Sequence, residues 1–204
     1  MAADPMELLA MVVSVMDTLQ IPYLVGGSFA SSLHGATRST LDADIIALIT
    51  LDQGQRFADA LDSEFYADEE AIRRAIAAKR SFNVIHPNSS FKVDIFVAKP
   101  SEFESSEFER RLKVELRAGL PPFWFATAED TILAKLRWYR LGNEISDQQW
   151  RDLVTVTKVQ RARLDLPYLR RWAVELGVAD LLARALEAAG ISEQSESVDE
   201  SRRM

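Results

Sequence analysis

The sequence predicts an α+β protein in which short strands and helices alternate over residues 1–120 and helices fill the rest of the chain. Three observations predict it. Apolar runs of strand length recur at 23–25, 45–49, 82–86 and 91–98, bounded by polar or turn-forming residues. Helix-period patterns lie before and between them. After the double proline Pro121-Pro122 the strand-like runs stop, and helical start and stop signals take over.

The first helix opens at Asp4-Pro5-Met6-Glu7, a capping box with proline in the first helical position. Leu8, Leu9, Val12, Val15, Met16 and Leu19 then follow on one helix face. Pro22 stops it. Tyr23, Leu24 and Val25 make a short buried strand that runs into Gly26-Gly27-Ser28, and residues 29–34 supply one or two helical turns, so the glycines occupy a strand-to-helix turn. The run 45–49 suits a central strand, and the polar stretch from Arg38 to Asp44 precedes it, which puts Asp42 and Asp44 at a strand's beginning. Helical patterns follow around 53–61 and 69–79. Runs 82–86 and 91–98 flank the turn Pro87-Asn88-Ser89-Ser90 and form a hairpin, and another strand is expected near 113–117. In the second half, Thr127 and Asp130 cap a helix reaching about Leu141, and Ser146 with Gln149 opens the next. Two more, at 166–176 and 178–189, end at Gly177 and Gly190. Residues 192–204 are rich in serine and acid and read as a disordered tail. The expected division is a core over 1–120, a helical domain packing on it over 121–191, and the tail.

Composition limits the chemistry. With 204 residues and 48% apolar content, the chain can bury one well-cored domain with an appendage, or two small domains. It has no cysteine and two histidines, which excludes disulfides and thiolate metal sites and leaves too few imidazoles for a His-rich zinc site. Any metal must be held mainly by oxygen. No apolar run approaches the roughly 20 residues that cross a bilayer, and the start lacks a secretion-signal pattern, so the expected location is the cytoplasm with no membrane partner. A formal charge of −7 disfavours indiscriminate binding to nucleic-acid backbone while leaving room for a local basic groove.

Side chains alternate across a strand, so Asp42 and Asp44 project from one face if the chain there is extended, and together could hold a hard cation. In Lys92-Val93-Asp94-Ile95-Phe96-Val97 the apolar Val93, Ile95 and Val97 suit the core. That sets Asp94 on the opposite face with Lys92 and Phe96. Read singly, Asp-x-Asp also serves as a cap or turn, Asp94 as a surface residue of a half-exposed strand, and Gly-Gly as an ordinary turn. Read together, they match what Mg2+ takes: a few carboxylates plus phosphate oxygens, beside a turn whose backbone N–H groups can approach a phosphate closely.

In order along the chain, Val25-Gly26-Gly27-Ser28-Phe29-Ala30, His34-Gly35, Arg38-Ser39-Thr40, Asp42-Ala43-Asp44-Ile45 and Val93-Asp94-Ile95-Phe96 resemble the active-site signature of the polymerase-β-like nucleotidyltransferase superfamily. Within it the chain looks most like the minimal bacterial nucleotidyltransferases related to AbiE-type toxins of toxin-antitoxin systems. Glu129 to Lys135 and Trp150-Arg151-Asp152-Leu153 stand where those proteins commonly carry a lysine and then an aspartate in a helical half. The resemblance covers about residues 22–153. It implies a nucleotidyltransferase-type mixed β-sheet flanked by helices, followed by a helical half. It also implies Mg2+-dependent transfer of a nucleoside monophosphate from a nucleoside triphosphate to a hydroxyl acceptor, with pyrophosphate released and Mn2+ as the alternative ion.

Carried over residue by residue, Asp42, Asp44 and Asp94 are the catalytic and metal-binding carboxylates. Gly26, Gly27 and Ser28 hold the triphosphate, with Arg38 and Lys135 as further nucleotide partners and Asp152 as an additional site residue. Lys135 also reads as a snorkelling surface lysine, Asp152 as the partner of a nearby arginine, and Arg38 as a structural ion pair. His34 reads as a packing residue. The Trp138-Tyr139 and Phe123-Trp124-Phe125 clusters could stack a base or simply fill core. The acceptor implied is RNA or protein, with a cognate antitoxin as partner. The competing readings are an antibiotic-type enzyme acting on a small hydroxylated molecule, and a catalytically silent nucleotide- or partner-binding module.

Overall fold

The computed structural model describes residues 4–36, 40–61 and 63–191. It begins with α1 (Pro5–Thr18), capped by Asp4, whose side chain accepts from the Met6 N–H. β1 (Tyr23–Val25) is buried throughout and leads into α2 (Gly27–Leu33). Next come β2 (Asp42–Ala47), α3 (Leu51–Leu61) and α4 (Glu69–Ala78), followed by the hairpin β3 (Ser81–His86) and β4 (Phe91–Val97). α5 (Glu102–Arg110), β5 (Leu112–Val114) and β6 (Phe123–Phe125) complete the sheet-forming region. Then come α6 (Ala128–Leu141), α7 (Asp147–Gln160), α8 (Leu166–Glu175) and α9 (Ala179–Ala188). The class is the α+β expected.

The strands form one mixed sheet in the order β3-β4-β2-β1-β6-β5. β2 and β4 run parallel, as do β1 and β6, while β1–β2, β3–β4 and β5–β6 are antiparallel. On β4 the alternation is the one its sequence dictates: Val93, Ile95 and Val97 are buried, and Lys92, Asp94 and Phe96 lie on the half-exposed face. α3 packs on both α1 and α4, and the three lie against the hairpin, where Phe57 of α3 meets Phe82 of β3 edge-on. Among the described residues no helix is long and apolar enough to cross a membrane.

Several expected boundaries shift, each for a local reason. Asp42 and Asp44 lie inside β2, which spans Asp42–Ala47, because residues 42–47 pair continuously with 92–97 of β4. α5 is an additional element, absent from the sequence expectations although Ser101-Glu102-Phe103-Glu104 fits a capping box. It is short and acidic, held by the Ser101 cap and by burial of Phe103 and Phe108. β5 covers Leu112–Val114, shorter than the expected 113–117. β6 lies beyond Pro121-Pro122, so the sheet passes the expected limit at 120, and 121–191 is not wholly helical. Three residues are too few to show a period, and Phe123-Trp124-Phe125 becomes a strand only through its neighbours β1 and β5.

The described chain divides into two compact units, one of residues 4–30 and 40–127, the other of 31–36 and 128–191. In the second unit, α6 and α7 pack together, α9 packs on both α7 and α8, and Leu133, Leu153, Leu169 and Leu181 are fully buried. The segment after α2 lies on α7: the Gln160 side chain donates to His34 O at 3.1 Å. Gly35 has φ +114°, and a Cβ there would stand 2.7 Å from Val159, which explains a glycine at that step. His34 is buried, in keeping with its packing role. The tail 192–204 lies outside the described residues.

Candidate active site

The first unit gathers Gly26, Gly27, Ser28, Asp42, Asp44 and Asp94. The parallel ladder of β2 and β4 sets Asp44 opposite Asp94 and Asp42 opposite Lys92. Since i and i+2 share a face, all three carboxylates and Lys92 stand on one side of the sheet, opposite the buried Ala43, Ile45, Val93 and Ile95. β1 is the other neighbour of β2, and its exit is tied to the acidic strand by the Gly26 N–H, which donates to Asp44 O at 2.8 Å. Gly27 has φ +54°, and a Cβ built there would lie 1.7 Å from Asp44 Oδ2. The Asp44 carboxylate therefore rests against the bare backbone of the turn. Ser28 is buried at the start of α2, and Phe29 one residue later meets Phe91, the first residue of β4, edge-on at 6.5 Å.

Lys92 places a positive charge on this face. Its ammonium lies 2.8 Å from Asp94 Oδ2 and 4.0 Å from Asp42 Oδ1. The hydrogen bond to Asp94 first, and then the charges of Asp94, Asp42 and Asp44, raise the lysine above its ordinary value against the opposing effect of burial. Among the described residues, no three His, Asp or Glu side chains are drawn together tightly enough to enclose a metal ion. The donors are nevertheless hard oxygens on adjacent strands, the type of set that Mg2+ and Mn2+ take. The sequence alone places Lys92 on the face of Asp94. Its reach across to Asp42 depends on the β2–β4 register, which the sequence does not display.

No protein-family model matches the chain, and no curated protein matches it. Solved structures do. An antigenic nucleotidyltransferase-like protein from Paracoccidioides brasiliensis superposes with a TM-score of 0.54 at 14% identity, over 92% of this chain and 94% of that one. The solution structure of the antibiotic-resistance factor ANT(2'')-Ia gives a TM-score of 0.54 at 13% identity, over 85% and 96%. The crystal structure of ANT(2'')-Ia in complex with adenylyl-2''-tobramycin gives 0.53 at 12%, over 84% and 95%. The chain has the nucleotidyltransferase fold. At these identities the likeness is one of backbone architecture.

Arg38 lies outside the described residues. In the second unit, Lys135 Nζ of α6 is 3.3 Å from Asp152 Oδ2 of α7, with the two side chains only 11% and 12% exposed. Lys135 is thus not a surface lysine, and Asp152 meets this lysine. A largely buried ion pair of this kind is costly to break from either side. Asp130, fully buried one turn earlier, accepts from the Tyr168 hydroxyl at 2.7 Å. The aromatic clusters divide. Phe123 and Phe125 are core, Trp124 carries Arg111 and Lys113 over its ring, Tyr139 packs on Trp150, and Trp138 is half exposed.

Proposed function

We propose that the protein is a cytoplasmic nucleotidyltransferase that moves a nucleoside monophosphate from a nucleoside triphosphate to an acceptor hydroxyl, releasing pyrophosphate. The supporting observation is the in-register pairing of Asp44 with Asp94 on parallel strands, with Asp42 on the same face and Asp44 seated against the Gly27 backbone. Asp42 and Asp44 would hold Mg2+ or Mn2+, and Asp94 would complete the ligand set and take the proton of the attacking hydroxyl. A divalent ion at these carboxylates supplies neutralisation of the triphosphate and activation of the hydroxyl. The backbone at Gly26, Gly27 and Ser28 would hold the phosphates, since a turn without side chains allows close approach. Arg38 and Lys135 would add positive charge to the nucleotide, Lys135 by leaving Asp152 or by sharing its ammonium with it.

Two acceptor classes are in play. The motif resemblance to AbiE-type toxins favours RNA or protein, with an antitoxin as a binding partner. The likeness to ANT(2'')-Ia, solved with adenylyl-2''-tobramycin, favours a small hydroxylated molecule of the antibiotic type. A silent binding module is the third reading, and retention of all three aspartates speaks against it.

The test is label transfer. Pure protein with Mg2+ and each α-labelled ribonucleoside triphosphate is offered cellular RNA, protein or an aminoglycoside panel, and the fraction that gains label names the acceptor. Asp94→Asn should melt like wild type and lose transfer by about 10² to 10⁴, the usual value of a general base, with more lost if metal binding also fails. Wild-type turnover in Asp94→Asn would remove the catalytic assignment.

A further inference from the structure

The acidic face has a resident cation of its own. Lys92 Nζ sits 2.8 Å from Asp94 Oδ2 and reaches to 4.0 Å from Asp42 Oδ1. The arrangement follows from the backbone: Lys92 precedes Asp94 by two residues on β4, sharing its face, and the parallel register sets it opposite Asp42 on β2. Lys92 is 35% exposed and Asp94 25%, so the pair stands at the rim of the site with the ammonium lying along the acidic row. Its neighbours on β4, Phe91 and Val93, point into the core and could not do this.

An ammonium and a divalent ion cannot both lie against one carboxylate oxygen without strong mutual repulsion, and Lys92 lies against two of the three carboxylates that would close around the ion. We propose that Lys92 is an internal counter-ion that competes with divalent metal for Asp94 and Asp42, so that the site loads metal together with a nucleoside triphosphate and binds the free ion poorly. The proposal rests on the metal-dependent reading of Asp42, Asp44 and Asp94. The triphosphate resolves the competition in two ways. It brings ligand oxygens and negative charge for the ion, and it offers the released ammonium, on its flexible four-carbon stem, a new anion close by. Lys92 is thus a positioning residue: its ammonium offsets part of the charge of the acidic face until substrate arrives.

The readout is Mn2+ binding, followed by electron paramagnetic resonance of the free ion, with no nucleotide present. Lys92→Met and Lys92→Gln should bind Mn2+ about ten-fold or more tightly than wild type, and Lys92→Arg should stay near wild type. In chelator the Met and Gln variants should melt below wild type and recover on adding Mn2+, because Asp94 and Asp42 lose the ammonium that lies against them; wild type should move far less. Unchanged or weaker Mn2+ binding in both neutral variants would overturn the proposal. A parallel titration adds non-hydrolysable analogues of the ribonucleoside triphosphates. Mn2+ binding there that is lost in Asp44→Asn, without any gain in the Lys92 variants, sinks the Lys92 role alone. No Mn2+ binding under either condition sinks the metal reading and this inference with it.

Discussion

At Gly27 two independent constraints meet. The backbone has φ +54°, where any other L-residue is strained, and a Cβ would stand 1.7 Å from Asp44 Oδ2, well inside contact distance. Gly26, one residue earlier, has neither problem: among the described residues a Cβ there would meet only Ile46 Cδ1, at 3.2 Å, the far end of a side chain. The expectation is a sharp contrast between neighbours. Gly27→Ala should lose roughly 1 to 3 kcal/mol from backbone strain and the displaced carboxylate, and should abolish transfer. Gly26→Ala should cost roughly 1 kcal/mol or less, its main effect being a small shift of Ile46. Urea melts of the two variants check this. Equal stability would mean that Asp44 swings aside freely, and the turn would then not set the position of that carboxylate.

Among the elements, α1 shows how a sequence signal is put to wider use. Asp4 caps the helix through the Met6 N–H, while its second carboxylate oxygen and Glu7 both engage Arg117, from the segment that follows β5, at 2.7 and 2.8 Å. The capping motif is local. Its tie to Arg117 joins positions 110 or more residues apart and has no signature in the sequence. The Met6 hydrogen bond first, and then Arg117, hold the Asp4 carboxyl below its ordinary value of 3.8. A carboxyl lowered on folding contributes stability at pH above its unfolded value, and that contribution fades as pH falls through the folded value. Asp4→Asn keeps a capping acceptor and removes the charge. It should therefore lower the melting temperature slightly at neutral pH, and the difference should start to shrink as pH falls through the ordinary value of 3.8 and close only below the lowered folded value. A constant difference across that range would show that the charge plays no part.

For the molecule as a whole, the acidic face sets the terms on which a nucleotide can bind. The chain carries a formal charge of −7, and three carboxylates stand on the face beside the Gly26-Gly27 turn with Lys92 as their close counter-charge. Each carboxylate brought to about 4 Å from a phosphate charge costs about 4 kcal/mol at an effective dielectric of 20, whereas a hydrogen bond to a charged group returns roughly 1.5 to 3 kcal/mol. Repulsion wins unless a divalent ion stands between them. Calorimetry should accordingly show triphosphate binding with Mg2+ and none measurable in chelator. Equal affinity in both would remove the metal role of Asp42 and Asp44.

The sequence by itself determined most of the elements and the face on which each acid stands. Period-two alternation in 91–97 puts Asp94 opposite Val93 and Ile95, and local capping and turn chemistry marks α1, the β3–β4 hairpin and α7, whose Ser146 cap accepts from the Gln149 N–H as its motif requires. Such signals are legible because they act over a few residues. Only the tertiary structure decided what meets across the sheet. The β2–β4 register that sets Asp44 beside Asp94 and Lys92 beside Asp42, the recruitment of Phe123–Phe125 as β6, and the Lys135–Asp152 pair all join segments distant in the chain. Pairings of that kind are fixed by the packing of whole elements against one another, and no local pattern of residues encodes them.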